Sequence, residues 1–267
     1  MRSVKNQHNK IVRKMDTIYI GYDPRDHEAS EILTDSILKH ASRPINIVTL
    51  NQMGLRRAGL YYRSPHIDST VWADKPSEHM LDRFDGRPYS TEFSFSRFLV
   101  PFLNQHEGFA LSMDNDMYFR SDPCEIFDKF ATDYSPALQC VQHEYADGGK
   151  VALKLYGCPQ TFYSRKNWSS VMLWNCGHHA HRNLTVDDVN TKPGSWLHNL
   201  KWIEDRDIGS LPEEWNWLAE HSSEDIEAKN VHFTLGGPWF DIWNPKREAD
   251  VRYGNEWMRL RELHYGK

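Results

Sequence analysis

The stretch Ala110–Phe119, "ALSMDNDMYF", places two acids, Asp114 and Asp116, inside an otherwise apolar run. Burying a lone carboxylate is costly, and two like charges at close range raise each other's pKa. Water, basic neighbours or a divalent cation must offset them. The residues just before, "GFALSMD", read as a strand that leads into the pair. Further back, "TIYIGYDP" alternates Ile18 and Ile20 with Tyr19 and Gly21, and Asp23-Pro24 stops that strand. "RDHEASEILTDSILKHA" then sets Ala29, Ile32, Leu33, Ile37 and Leu38 at helical spacing, with acids early and Lys39-His40 late as the helix dipole prefers. "INIVTL" is the next strand, and this β-α-β opening predicts parallel strands in an open α/β sheet.

Residues 51–91 have weak periodicity and read as a long excursion of the kind that tends to be functional. "TEFSFSRFLVPFLNQ" reads as one helix with Thr91 as N-cap, and "DPCEIFDKF" as a short helix with Pro123 at its first position. "ALQCVQH" and "WSSVMLWN" are further strands, and Thr185 with Asp188 in "LTVDDVN" has the spacing of a capping box. No repeat or linker divides the chain. One domain over 16–267 is expected, after a mobile basic tail over residues 1–15.

With 39% hydrophobic and 26% charged residues the chain is a globular protein rather than a disordered one. A net charge of -5 argues against a binder of phosphate backbones, so nucleic acid is not an expected partner. Ten tryptophans fit either a site for ring-shaped ligands or a Trp-rich core. Cys124, Cys140, Cys158 and Cys176 form no Cys-x-x-Cys pair, so free buried thiols in a reducing compartment are expected. No signal-peptide h-region and no run of about 18 apolar residues occurs, so the expected setting is cytoplasmic, without a membrane span.

In an open α/β sheet, ligands sit beyond the carboxyl ends of the strands, where Asp114 and Asp116 fall. Alternate residues of extended chain point the same way, so the pair can converge on a hard cation such as Mg2+ or Mn2+ that bridges to substrate phosphates. The competing reading is that Asp-x-Asp is only a turn signal. The apolar residues on both sides weigh against an ordinary surface turn. A calcium loop is excluded because Tyr118 and Phe119 stand where it needs an acid and a glycine.

These residues resemble the nucleotide-sugar-dependent glycosyltransferases of the GT-A fold, family 8 and its DXD-bearing relatives in particular. The likeness rests on "IYIGYD", "SFSRF", "SMDND", "SSVMLWNC" and "VHFTLGGPW", in that order across residues 17–240. It implies a mixed, mostly parallel central sheet flanked by helices, and transfer of a sugar from a nucleotide-diphosphate sugar, a UDP-sugar foremost, to a hydroxyl acceptor such as a glycan. By the same resemblance Asp114, Asp116 and His232 hold Mn2+ or Mg2+, and Arg97 pairs with the sugar-phosphate or with Asp114. Gly21, Tyr22 and Asp23 receive base and ribose beside Asn115, and Asn175 reaches the donor sugar. The last segment, Leu235-Gly236-Gly237-Pro238-Trp239, is one residue shorter than the family's and has no Lys. Backbone amides of Gly236 and Gly237 are then expected to cradle phosphate.

Other clusters compete for attention. His178, His179 and His181 in "GHHAHR" invite a metal reading, but no acid or Cys pattern completes a zinc site, so a polar helix start is expected. Glu204 and Asp205 in "WIEDRD" read as solvated surface or, by the resemblance, as acids facing donor or acceptor. "LPEEWNWL" reads as a structural turn or, with Trp215, as part of the acceptor side; acceptor recognition is expected from Arg56, Arg57, Tyr61, Tyr62, Arg63 and the C-terminal "DIWNPKREADVRYG". Two other functions fit the same residues: a non-catalytic nucleotide-sugar or glycan-binding protein, and a metal-dependent phosphoester hydrolase.

Overall fold

The strand Thr17–Gly21 (β1) is buried along its whole length, because its two sides feed two different cores. Ile18 and Ile20 pack with Leu33 and Ile37 of helix α1 (His27–His40), whereas Tyr19 faces Phe95, Phe98 and Trp174. The computed structural model describes residues 15–64, 66–68, 71–72, 75–76, 79–144, 164–219, 221–239 and 252–266. Residues 1–14 of the expected tail, Cys158 and 241–251 of the C-terminal stretch lie outside them.

After α1 the chain returns in Asn46–Leu50 (β2), parallel to β1, then forms Gln52–Arg57 (α2), capped by Asn51. The rest of the excursion carries short strands, with His66–Asp68, His79–Leu81 and Pro88–Tyr89 forming an antiparallel set. Residues 91–105 do not make one helix. Thr91 bonds Ser94 instead of capping, a 3-10 turn spans Ser96–Leu99, and helix α3 covers only Val100–Leu103. Pro101 explains the break: it has no amide to donate to Arg97, so the α-helix starts around it instead of running through it.

Phe109–Met113 (β3) enters the sheet parallel to β1, and Met117–Phe119 (β4) follows the two acids. Helix α4 is Cys124–Phe130, one residue later than expected, with Pro123 at its N-cap. Leu138–Cys140 (β5), Val171–Asn175 (β6) and Ile208–Ser210 (β7) complete a six-stranded sheet in the order β7-β5-β6-β3-β1-β2. Only β6 runs against its neighbours, so the sheet is mixed and mostly parallel. Between β6 and β7 come helices Val186–Thr191 (α5), which opens with the expected Thr185–Asp188 capping box, and Gly194–His198 (α6). A second sheet joins Trp217–Leu218 (β8) and Asn230–His232 (β9) to β4, with His232 opposite Met117. Helix α7 (Gly254–Tyr265) lies against α1. Cys124, Cys140 and Cys176 are buried free thiols. Among the described residues no helix is long and apolar enough to cross a membrane.

Candidate active site

The end of β3 is level with the end of β1, because Met113 pairs with Ile20. Asp114 therefore leaves the sheet at the carboxyl ends of its parallel strands, and its amide is held by the Ser170 carbonyl at 2.9 Å. The β4–β9 register brings His232 alongside Asp116, with Nε2 3.3 Å from Oδ1. One ligand atom each from Asp114, Asp116 and His232 all lie within 4.8 Å of one another, the one such trio among the described residues.

His232 is almost wholly buried, and its Nδ1 is 2.9 Å from Asn216 Oδ1. The Asn216 amide nitrogen donates to Ser170 Oγ at 2.9 Å and to the Asn167 carbonyl, which fixes Oδ1 as the acceptor. Nδ1 must then carry a proton, which leaves Nε2, facing Asp116, as the nitrogen available to a metal. Two carboxylates and an imidazole held from behind form a donor set that fits Mn2+ or Mg2+. The other carboxylate has a basic neighbour: Arg97 Nη1 pairs with Asp114 Oδ1 and also donates to the Ser169 carbonyl at 2.8 Å. The two acids of "DND" thus have different neighbours, Asp114 a guanidinium and Asp116 an imidazole.

Asp114 and Asp116 open into a cavity of about 140 Å3 that also takes in Asp26, Asp85, Lys166 and His198. Asp26 has no counterpart in the sequence reading. It follows Asp23-Pro24 as a helix-start acid would, and nothing local marks it as part of a site. Burial above all pushes its carboxyl up to about 7; the Trp239 indole N–H, 2.9 Å from Oδ1, works the other way, while the charges of Asp116 and Asp23 add to the rise.

Several expected residues have other places. Asn175 ends β6 opposite Phe109, at the far end of β3 from Asp114, and donates to the carbonyls of Tyr134 and Pro136. The reversal of β6 is the reason, and it delivers Ser169 and Ser170, which precede the strand, to the cavity instead. Asn115 turns away to the Asp26 carbonyl and Ser30 Oγ. Glu204 and Asp205 are 69% and 88% exposed, pair with Arg206 and Arg165, and are not in the cavity lining. Trp215 is a core residue, in the same buried cluster as Leu211 and Phe127, as the structural-turn reading has it.

Gly21 ends β1, Tyr22 and Asp23 follow it, and none of the three lines the cavity. Gly21 lets the Phe93 ring lie where a Cβ would come within 2.3 Å. Asp23 is saturated by Arg25 and the Glu92 amide, and Tyr22 reaches His27 at 3.4 Å. Gly236 lines the cavity with φ +106°, but its amide donates to the Phe233 carbonyl and so is not offered to phosphate. Gly237 makes room for Trp239, whose ring a Cβ would meet at 1.9 Å. Of the excursion, Tyr61 and Arg63 are buried joints, Arg63 pairing with Asp82 at 2.5 Å, and among the described residues the part that lines the cavity lies between Asp82 and Phe95.

No family model matches the chain. Among curated proteins it is 40% identical over 239 residues to Protein CDI of Arabidopsis thaliana, across 88% of this chain and 83% of that protein. The bifunctional glycosyltransferase WbbM, in its apo structure, superposes at a TM-score of 0.54 and 15% identity over 95% of this chain. The glycosyltransferase GlyE of Streptococcus pneumoniae TIGR4 gives 0.52 at 14% identity over 93% of this chain. The galactosyltransferase LgtC, solved with donor and acceptor sugar analogues, gives 0.52 at 12% identity, covering 92% of this chain and 95% of that one. The chain spans 50% of WbbM and 60% of GlyE. At such identities the likeness is one of fold, and the fold is that of the GT-A glycosyltransferases.

Proposed function

The chain belongs to the family of Protein CDI of Arabidopsis thaliana, and we infer its function from its own site. Its activity is a metal-dependent transfer of a sugar from a nucleotide-diphosphate sugar, with uridine as the base, to a hydroxyl of a glycan or similar acceptor. The observation that carries this reading is the Asp114–Asp116–His232 trio, buttressed by Asn216 and Arg97 and opening on a cavity within a glycosyltransferase fold. A divalent cation held there supplies charge neutralisation for the departing diphosphate. The chain's own residues do the rest. Arg97 fixes the Asp114 carboxylate, Asn216 keeps the imidazole in the ligating tautomer, and the walls from Asp82–Phe95 and α6 hold the sugar and its acceptor. Retention at the sugar carbon, the outcome in family 8, belongs to the same proposal.

A melting panel of UDP-, GDP-, ADP- and CMP-sugars with Mn2+, Mg2+ or EDTA tests it. A ligand at a hundredfold excess over its dissociation constant stabilises the folded state by about 2.7 kcal/mol, and each kcal/mol raises the melting temperature by about 2–4 °C at this size. One base should stabilise by several degrees, and only with metal. Equal stabilisation in EDTA would remove the metal from the reading, and no response to any nucleotide sugar would remove the transferase. Release of free UDP from UDP-glucose with Mn2+ then separates a transferase from a binding protein.

A further inference from the structure

We propose that Asp26 sets the specificity of the cavity, its carboxyl hydrogen-bonding a hydroxyl of the bound nucleotide sugar, either on the ribose or on the sugar to be transferred. The proposal rests on the nucleotide-sugar reading of the cavity.

The first support is where the carboxyl does not go. Asp26 occupies the N-cap of α1, where an aspartate ordinarily accepts a backbone amide of the first turn, yet its side chain makes no capping bond. The residue is 2% exposed and lines the cavity. Its Oδ1 accepts the Trp239 indole N–H at 2.9 Å, and among the described residues no second hydrogen bond and no ion pair reaches the carboxyl. Arg25, next to it in sequence, turns instead to Asp23 and to the Ser90 carbonyl. A buried carboxyl with one donor has acceptor capacity left over, and leaving it unmet is costly.

The second support is that Asp26 is fastened to both strands that build the trio. Asn115, between the two acids, donates to the Asp26 carbonyl at 3.2 Å and to Ser30 Oγ at 3.1 Å. Trp239 belongs to the segment that follows His232. Its ring meets Phe233 edge-on at 5.8 Å and Trp257 of α7 at 4.6 Å between centroids. The backbone of Asp26 is thus tied to the acid-bearing turn, and its carboxyl to the chain beyond the histidine. An acceptor held this firmly rejects a ligand that lacks the matching donor, because its own buried oxygen is then left unpaired.

The third support is the chemistry of what can pair with it. The charges of Asp116 and Asp23 already act on the Asp26 carboxyl, so a phosphate is repelled there. Asp26 is not a member of the trio whose ligand atoms converge, so the cation at that trio does not need it. A neutral donor remains, and hydroxyls supply most of the neutral donors of a nucleotide sugar. A hydroxyl also donates to a carboxylate and accepts from a carboxylic acid, so the contact holds in either state of Asp26.

The test is titration, at saturating Mn2+, of UDP against 2′-deoxy-UDP and 3′-deoxy-UDP, and of UDP-glucose against analogues that each lack one hexose hydroxyl. The members of each pair carry the same charge, so the ratio of their affinities cancels any change that a variant makes in the field at the phosphates. Wild type should prefer one hydroxyl-bearing ligand over its deoxy partner by about tenfold or more, as expected of a hydrogen bond to a charged group. Asp26→Ala should abolish that preference and leave the other ratios alone. Asp26→Asn keeps an acceptor for the indole but replaces a charge-assisted hydrogen bond by a weaker neutral one, and should cut the preference by about three- to tenfold. Where Asp26→Ala does not fold, Asp26→Asn decides. The pair whose ratio collapses tells ribose from transferred sugar. A wild-type protein that binds UDP but accepts every deoxy analogue equally well, or an Asp26→Asn variant that keeps every ratio, overturns the proposal and leaves the cavity a nucleotide site. A wild-type protein that binds no nucleotide overturns both readings.

Discussion

Two groups of histidine-bearing residues offer themselves as metal centres, and only one is assembled like one. His178, His179 and His181 come from one short segment and spend their nitrogens locally. His178 Nδ1 accepts the Ala180 amide, and His181 Nε2 bonds the Ala137 carbonyl at 2.8 Å while the Trp202 indole N–H approaches its Nδ1. Asp114, Asp116 and His232 come instead from a strand end and from a second sheet more than a hundred residues later, joined by the β4–β9 register. Proximity in sequence yields caps and core contacts. Convergence of distant strands leaves three ligand atoms facing one point, with other residues holding them from behind.

The largest effect should come from breaking the second group. Asp116→Asn keeps the shape and removes one negative charge from the ligand set. Turnover should fall by about two to three orders of magnitude, the scale of losing one electrostatic stabiliser of a developing charge. Circular dichroism and melting should stay near wild type. Normal turnover in this variant would mean that the metal centre lies elsewhere.

A smaller and more selective effect belongs to the residue behind His232. Asn216→Leu takes away the acceptor that holds Nδ1–H, so the Mn2+ concentration for half-maximal stabilisation should rise about 10–100-fold, the usual cost of losing an outer-shell partner. His232→Ala should raise it further. Equal Mn2+ requirements in all three proteins would reduce His232 to a core histidine.

The contrast between the two groups also marks what could be read from residues alone. The β1-α1-β2 opening, β3 and the capping box of α5 are local: alternation, helical spacing and cap residues fix them within a few turns of chain. The acid pair was visible for the same reason. Asn175 was misplaced because the direction of β6 is decided by pairing with β3 and β5, which no local pattern encodes. Asp26 and Asn216 escaped notice because each resembles a cap or a surface residue until the tertiary fold buries it. The resemblance to family 8 supplied His232; spacing by itself would not have chosen it over thirteen other histidines.

The histidine cluster should show itself in stability rather than activity. Burial above all pushes His181 down to about 4, so the folded protein favours the neutral ring. Stability from this group is complete above the unfolded value near 6.5. It falls as pH drops from there toward 4, by up to about 1.4 kcal/mol per pH unit, and is flat below. His143, pushed down to about 3 chiefly by burial, adds to the same slope. His181→Leu should flatten the dependence of melting temperature on pH across that window and leave turnover per folded molecule within a few fold. A variant that melts lower but keeps the full slope would assign the proton uptake to other groups.

The smallest effect separates surface acids from buried ones. Glu204 and Asp205 lie in the connection before β7, each paired to an arginine but largely exposed to water, and neither borders the cavity. Exposed ion pairs contribute about 0–1 kcal/mol, and charge changes outside a site usually alter stability by less than about 0.5 kcal/mol. Glu204→Gln with Asp205→Asn should therefore shift melting by no more than about 2 °C at this chain size. Turnover should stay within about twofold, because two neutral amides outside the cavity lining alter neither the ligand set nor the cavity wall. A large loss of turnover with unchanged melting would show that the β6–β7 connection folds over the bound sugar during turnover and brings one of these acids to it. Asn175→Ala, which only loosens the far end of β6, should not reproduce such a loss.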